Sequence, residues 1–420
     1  MIKTEILGAG EAISRRVSAA PDVSAAVSEI IADVRRNGDE ALMRLCERFD
    51  GARPESLEAS EAELAAAAEK ADKKLIGILE KAAENIRRFH AAQLREGFSI
   101  GFADGSVIGQ RVTPVERAGL YIPGGTAAYP STVLMNCIPA KIAGVGEIIM
   151  CSPAKNGVIN PDIAAAAKIA GVDRIFKLGG AQAIAAMAYG TESVPRADKI
   201  TGPGNAYVAE AKRQIYGAAG IDMIAGPSEI LIVADSASDP DMLAADMLSQ
   251  AEHDANASAV LITDSPELAR ATAEAIDRRL AVLPRRDIAE ASIENNGRII
   301  IAPGISEAIE AANALAPEHL ELCLDEPFEW LDRVKHAGSV FLGRHCPEAV
   351  GDYWAGANHT LPTGGTARFS SALSTDDFMK KTQFIYYTPA ALDAAADDIA
   401  YFAEKEGLDG HARSALSRRR

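Results

Sequence analysis

The stretch PDIAAAAKIAGVDRIFKLGGAQAIAAMAYG (161–190) decides the fold. Pro161–Ala170 is an alanine-rich helical stretch, and Arg174–Leu178 is a short apolar run of strand length. Gly179 and Gly180 then open a second alanine-rich helical stretch. Helix, strand, glycine turn and helix form the unit of an α/β protein, in which helices cover both faces of a parallel sheet.

The same rhythm runs outward on both sides. Candidate strands are Gly119–Ile122, Ile148–Cys151, Arg174–Leu178, Lys199–Thr201, Ile230–Ala234, Ala259–Thr263, Ile299–Ala302, Leu320–Cys323 and Ser339–Leu342. Helical stretches such as Asp241–His253 separate most of them. That many strands fit two modest doubly wound units better than one sheet, with the joint near Gly226–Glu229, where AGPSE (225–229) breaks the pattern.

The flanks read as helical. Val23, Val27, Ile30, Ile31 and Val34 fall at helical spacing until Gly38 interrupts them. Leu64, Leu75, Ile78, Leu79, Ala82, Ile86 and Phe89 form a second apolar stripe, with His90 beside it as a boundary histidine rather than a ligand. After Leu373 the strand rhythm stops and a helix-rich tail is expected.

Composition narrows the function. The 420 residues carry 43 Lys and Arg against 59 Asp and Glu, a net charge of −16. A surface this acidic repels phosphate backbones, which argues against nucleic acid or an anionic membrane as the main partner. No apolar run approaches the ~18 residues of a membrane span. The N-terminal MIKTEILGAGEAISRR carries Glu5 and Glu11 early and has no signal-peptide core, so the expected compartment is the cytoplasm. Cys46, Cys137, Cys151, Cys323 and Cys346 are far apart and never in a CxxC pair, which gives neither a disulfide framework nor a thiolate zinc site.

Several motifs carry chemistry. Glycine-rich turns recur at YIPGGTAAYP (121–130), LGGAQAIAA (178–186), TGPGNAYV (201–208) and AGPSE (225–229). Each follows a strand, where backbone can approach phosphate, but none is a complete GxGxxG; tight βα turns alone would look the same. Gln250 and His253 in DMLSQAEHD share one face at a helix C-terminal end. An amide oxygen and an imidazole there could meet one metal ion, or the histidine could simply favour the helix dipole.

Glu318-His319 in ALAPEHLELC sits at the mouth of a strand and offers a proton acceptor beside a carboxylate able to activate water. The long glycine-rich stretch 346–371 carries Asp352 and His359, and loops of that size are uncommon in compact domains unless functional. Glu406 and His411 lie in EKEGLDGHA, where Gly407 stops a helix; tail charges of this kind are ordinarily solvated.

Together these motifs closely resemble the histidinol dehydrogenase family, from about Val27 to the tail. The strongest stretches are GLYIPGG (119–125), GGAQAIAAMAYGTE (179–192), GPGNAYVAEAKR (202–213), IDMIAGPSE (221–229), MLSQAEHD (247–254), APEHLEL (316–322), LPTGGTARFSS (361–371) and EGLDGHA (406–412). One departure is Ala357 in AGANHTLP, where the family commonly has proline.

The resemblance implies an α/β fold of two Rossmann-like domains with helical extensions, in an intertwined homodimer whose tails complete each other's sites. On this chain that gives an N-terminal helical region at 1–118, an NAD-binding domain at 119–228, a metal and catalytic domain at 229–372, and a tail at 373–420. The resemblance also assigns one zinc ion per subunit to Gln250, His253, Asp352 and His411, and catalysis to Glu318 and His319. Substrate contacts map to Ser228, Gln250, His253, His319, Asp352, Glu406 and His411, and NAD contacts to Tyr121, Gln182 and Asn205.

The implied reaction takes L-histidinol through L-histidinal to L-histidine, reducing two NAD⁺. A relative oxidising another polar primary alcohol is the nearest alternative. A zinc hydrolase using His253 and His319 is a further rival, but the sequence carries no HExxH and that reading leaves the glycine turns unexplained. An aldehyde dehydrogenase would need a nucleophilic cysteine, whereas Cys137 and Cys151 lie in apolar surroundings (VLMNCIPA, IIMCSPA).

Overall fold

A computed structural model describes residues 2–8, 22–51, 53–124 and 128–419. Glu11 of the N-terminal segment and Gly125 of the first glycine-rich turn lie outside the described residues. In chain order the strands are β1 (Lys3–Ile6), β2 (Phe98–Gly101), β3 (Val107–Pro114), β4 (Arg117–Tyr121), β5 (Glu147–Ser152), β6 (Arg174–Lys177) and β7 (Lys199–Thr201). They continue as β8 (Gly220–Ile221), β9 (Glu229–Ala234), β10 (Ser258–Thr263), β11 (Arg298–Ile301), β12 (His319–Cys323), β13 (Ser339–Leu342) and β14 (Met379–Tyr386).

Two compact units divide the chain: Met1–Gln93 with Glu116–Phe378, and Leu94–Val115 with Met379–Arg420. The first unit holds two wholly parallel sheets, of order β6-β5-β4-β7-β8 and β1-β11-β10-β9-β12-β13. The break between them falls between Ile221 and Glu229. Each of the nine expected strands is present, its ends shifted by two residues at most.

The second sheet shows why those runs read as continuously apolar. Along β9, Ile230, Ile232 and Ala234 join one core while Leu231 and Val233 join the core on the opposite face. Side chains alternate across a strand, so a sheet covered by helices on both sides needs an apolar residue at every position. The first sheet is buried likewise, around Ile149, Cys151 and Phe176. Small alanines on Pro161–Ala170 and Gly180–Tyr189 are almost all buried, consistent with helices lying close against the strands.

The helical reading of the flanks needs correction in three places. Ser24–Asp50 is a helix broken at Gly38, whose φ is +49°, and the other stripe resolves into Glu61–Ala68 and Lys73–Ala91. But Lys3–Ile6 is an edge strand, pairing in parallel with β11. In the second unit β2 and β3 form a hairpin turned at Gly105 (φ +81°), and β14 pairs with β3 from Met379↔Pro114 to Tyr386↔Val107. The partner of β14 lies far away along the chain, so its strand character comes from pairing and not from local pattern. Beyond it, Pro389–Lys405 and Asp409–Leu416 are helices joined through Gly407 (φ +73°).

His90 is also not a boundary residue. It is fully buried, with Nδ1 2.7 Å from Gln93 Oε1 and Nε2 3.3 Å from Asn358 Nδ2. Two neutral amides satisfy both ring nitrogens, which makes it a core histidine and leaves no lone pair for a ligand.

Candidate active site

A cavity of about 780 Å³ opens in the first unit, at the carboxyl ends of the strands of the five-stranded sheet and the amino ends of those of the six-stranded sheet. From the first sheet come Pro123 after β4 and Gly202–Asn205 after β7. Carboxyl strand ends are where open α/β sheets bind ligands. From the second come Ser228 before β9, His253 and Asn256 before β10, and Glu318 and His319 at the start of β12.

The turn after β7 is held by groups of its own. Gly202 has φ +117°, and a Cβ there would stand 2.0 Å from the Tyr121 carbonyl oxygen, so only glycine fits. Its N–H donates to Asp222 Oδ2 (2.8 Å), and its carbonyl accepts from Lys212 Nζ (2.8 Å). Lys212 and Asp222 form an ion pair with side chains 2% and 1% exposed. Asn205 caps the helix Ala206–Ile215, its Oδ1 accepting from the N–H groups of Tyr207 and Val208, which leaves its amide NH₂ free to donate.

Glu318 and His319 are buried at the other wall. Ala316, with φ +47°, ends the helix Ile305–Leu315, and Pro317 follows; the chain thus turns before β12 and sends both side chains into one cavity. His319 Nδ1 donates to the Glu229 carbonyl at 2.9 Å, which fixes the tautomer and leaves the lone pair on Nε2. Nε2 is buried and makes no hydrogen bond, while Asp352 Oδ1 lies 3.8 Å away. Glu318 Oε2 accepts from Glu229 N–H (2.8 Å) and lies 3.7 Å from His319 Nδ1.

Burial pushes the Glu318 carboxyl up to about 8, with the neighbouring His319 opposing it. Burial would lower His319, but the carboxylates of Glu318, Asp352 and Glu348 outweigh it and raise the imidazole to about 10. The two groups therefore share their protons as one acid–base unit, and Nε2 of His319 becomes a proton acceptor once that unit has given one up. His253 is lowered by burial, with Asp352 opposing, so its imidazole is kept neutral. Asp352 stays low because His319, His359 and His253 around it offset its burial.

Of the residues singled out from the sequence, Asn205, Ser228, Gln250, His253, Glu318, His319 and Asp352 all line this cavity. Tyr121 and Gln182 do not: both are buried, and the Tyr121 phenol accepts from Gly180 N–H (3.0 Å) beneath the LGG turn. Glu406 and His411 belong to the second unit, exposed at a helix end and on the helix Asp409–Leu416. Gln250 is in the last turn of Pro240–Ala251 and His253 just beyond it, so their shared face is the end of that helix.

Two cavity-side groups were not among the chosen site residues. His359, from the glycine-rich loop, lines the cavity with Nδ1 3.2 Å from the Asp352 carbonyl. Glu348 precedes Asp352 by one turn of the short helix Glu348–Tyr353, and ligand atoms of His319, Glu348 and Asp352 all lie within 4.8 Å of one another. The i,i+4 spacing of Glu348 and Asp352 was the available signal.

Behind the site Asp246 and Glu321 face each other as a hydrogen-bonded carboxyl pair, and burial raises Asp246 to about 6 and Glu321 well above its usual range. A folded-state pKa above the unfolded one means the native protein binds the extra proton. The resulting stability is complete below about pH 4 and is lost as pH rises through about 6. Asp246→Asn, whose amide can donate to Glu321, is therefore expected to raise the melting temperature at pH 8 and leave it unchanged at pH 4. A lower melting temperature at pH 8 would refute the shared proton.

No described thiol suits nucleophilic chemistry. Burial lifts Cys46 and Cys137 to about 12 and raises Cys151, Cys323 and Cys346 as well.

Two glycine-turned parallel sheets meeting at a buried carboxyl–imidazole pair define the class, an α/β protein with an acid–base site at the strand ends. The family model described as histidinol dehydrogenase matches residues 13–419. The histidinol dehydrogenase of Streptococcus mutans serotype c is 53% identical over 393 residues, covering 94% of this chain and 92% of that relative. That of Geobacillus kaustophilus is 51% identical and covers 98% of both chains. The crystal structure of histidinol dehydrogenase from Elizabethkingia anophelis superimposes with a TM-score of 0.94 at 38% identity, over 99% of this chain and 98% of that one. The chain belongs to the histidinol dehydrogenase family.

Proposed function

We propose that this chain oxidises L-histidinol through L-histidinal to L-histidine, with two NAD⁺ reduced in turn and one water consumed. The observation that carries the reading is His319: a buried imidazole with Nδ1 anchored and Nε2 unbonded in the cavity. In the first oxidation Nε2 takes the hydroxyl proton as hydride leaves the carbinol carbon. After Nε2 has passed that proton to solvent, Glu318 assists addition of water to the aldehyde, and the hydrate gives the second hydride to a second NAD⁺ while Nε2 again takes a proton. General acid–base assistance of this kind contributes ~10² to 10⁴ in rate.

A divalent metal fits the donors present. Gln250, His253 and Asp352 line one wall, and a neutral imidazole such as His253 is the form that binds metal. We assign zinc to these three with the partner subunit's His411. When bound, zinc would supply a Lewis-acidic anchor for the substrate. Ser228, and the partner subunit's Glu406, complete the substrate's polar contacts.

NAD fits the glycine turns, with Tyr121, Gln182 and Asn205 as its contacts; the free amide NH₂ of Asn205 faces the cavity as a donor. A homodimer with shared sites is supported by the second unit, which exposes Phe98, Ile100, Ile385, Tyr386 and Phe402. No described helix is long and apolar enough to cross a membrane, and we place the enzyme in the cytoplasm.

The test is NADH formed per histidinol consumed, with zinc-loaded protein, limiting L-histidinol and excess NAD⁺. Two NADH are expected. One would mean that the aldehyde leaves and that Glu318 does not activate water; none would turn attention to other polar primary alcohols.

A further inference from the structure

The dinucleotide contacts proposed above fall into two groups. Asn205 lines the cavity with the catalytic pair, whereas Tyr121 and Gln182 lie under the LGG turn and do not line it. Since hydride transfer requires the nicotinamide beside His319, the groups at the LGG turn are left for the adenosine half.

A carboxylate stands at that turn with no assigned role. Asp50 ends the helix Ser24–Asp50, and Gly51 (φ +78°) carries the chain away from it. Its Oδ2 is buried without a hydrogen-bond partner, and its Oδ1 lies 3.5 Å from where a Cβ on Gly179 would be. Among the described residues no cation is paired with it, and burial raises its pKa. It is close enough to help raise the Tyr121 phenol. A buried acceptor left unmade is costly and calls for an explanation. Two adjacent hydroxyls would satisfy both oxygens at once, and a ribose diol supplies such a pair; a 2′-phosphate would instead bring like charge against the carboxylate.

We propose that Asp50 binds the adenosine ribose diol and makes the site select NAD over NADP. The inference rests on the NAD reading and adds the residue that discriminates between the two dinucleotides. Asp50 is a binding residue remote from the reacting atoms, so its loss acts on affinity and not on the chemical step.

The test is an equilibrium titration of NADH and of NADPH, by ligand fluorescence, onto the full-length zinc-loaded protein and its Asp50→Asn and Asp50→Ala variants, without histidinol. The wild type is expected to bind NADH at least ~100-fold more tightly than NADPH. Each variant should lose about tenfold in NADH affinity, the size of a lost charge-assisted hydrogen bond, and the preference should narrow by at least that factor. The melting temperature of each unliganded variant should stay close to that of wild type, which reports that the variants fold, and with histidinol added the KM for NAD⁺ should rise by about the same factor as the NADH affinity falls.

The proposal is overturned if either variant keeps NADH affinity within twofold. It is equally overturned if both dinucleotides weaken by the same factor, or if the wild type binds them alike. The expected titrations without any histidinol turnover would uphold Asp50 and sink the substrate assignment instead.

Discussion

His319→Gln is expected to lower kcat for L-histidinol by ~10³, within the range for loss of a general base, with zinc content unchanged. Glutamine is close in volume and keeps an amide to meet the Glu229 carbonyl, which now accepts from Nδ1 at 2.9 Å. It cannot accept a proton at the position of Nε2. The side chain is 5% exposed, so water has little access to substitute as the base. Metal analysis separates this from a role as ligand. A variant that retained zinc and turned over within tenfold of wild type would remove His319 from the proton path, and one that lost its zinc would move it into the ligand set.

The second large effect is on stability. Asp222→Ala removes the carboxylate that neutralises Lys212, accepts from Gly202 N–H at 2.8 Å and accepts from its neighbour Met223 N–H at 2.7 Å. Lys212 would be left 2% exposed with, among the described residues, only the Gly202 carbonyl as a partner. Removing one member of a buried pair costs ~3–5 kcal/mol, because the other charge stays buried and uncompensated. The expected result is a large drop in melting temperature and, in whatever protein remains folded, weakened NAD⁺ binding through the loosened Gly202–Asn205 turn. The double variant Lys212→Met/Asp222→Ala should recover much of the stability, since no lone charge is buried. A single variant as stable as wild type would show that the ammonium finds another partner.

The site is more easily perturbed from below than its lining suggests. Glu318 and His319 are both fastened to Glu229, one to its N–H and the other to its carbonyl, so the first residue of β9 orients both. Glu229 in turn has Oε1 accepting from Gly364 N–H at 3.1 Å, which ties the loop after Asp352 to the same strand end. A single residue at the amino end of β9 thus couples the acid–base pair to the glycine-rich loop.

The central parallel strands were legible because they are buried on both faces and so carry near-continuous apolar runs, as along β9 and β10, a pattern that survives in one dimension. The same holds for the helix Pro161–Ala170 and for the break at Gly38. Chemistry was legible as residue types in motifs: Gln250 with His253 at a helix end, Glu318 with His319 before a strand.

What the sequence could not supply was anything set by partners distant along the chain. β14 became a strand by pairing with β3, more than 250 residues earlier, while its own residues stay largely exposed and carry no apolar stripe to announce it. His90 looked peripheral until Asn358 met it in the core. Glu348 gained meaning only when the helix Glu348–Tyr353 brought it to His319, and Asp50 only when the helix end met the LGG turn. Local pattern determined the strands, the turns and the kinds of reactive group; tertiary packing decided which groups share a cavity, which nitrogen of His319 is free, and which carboxyls hold a proton, because burial and mutual distance set those energies and neither is local in the chain.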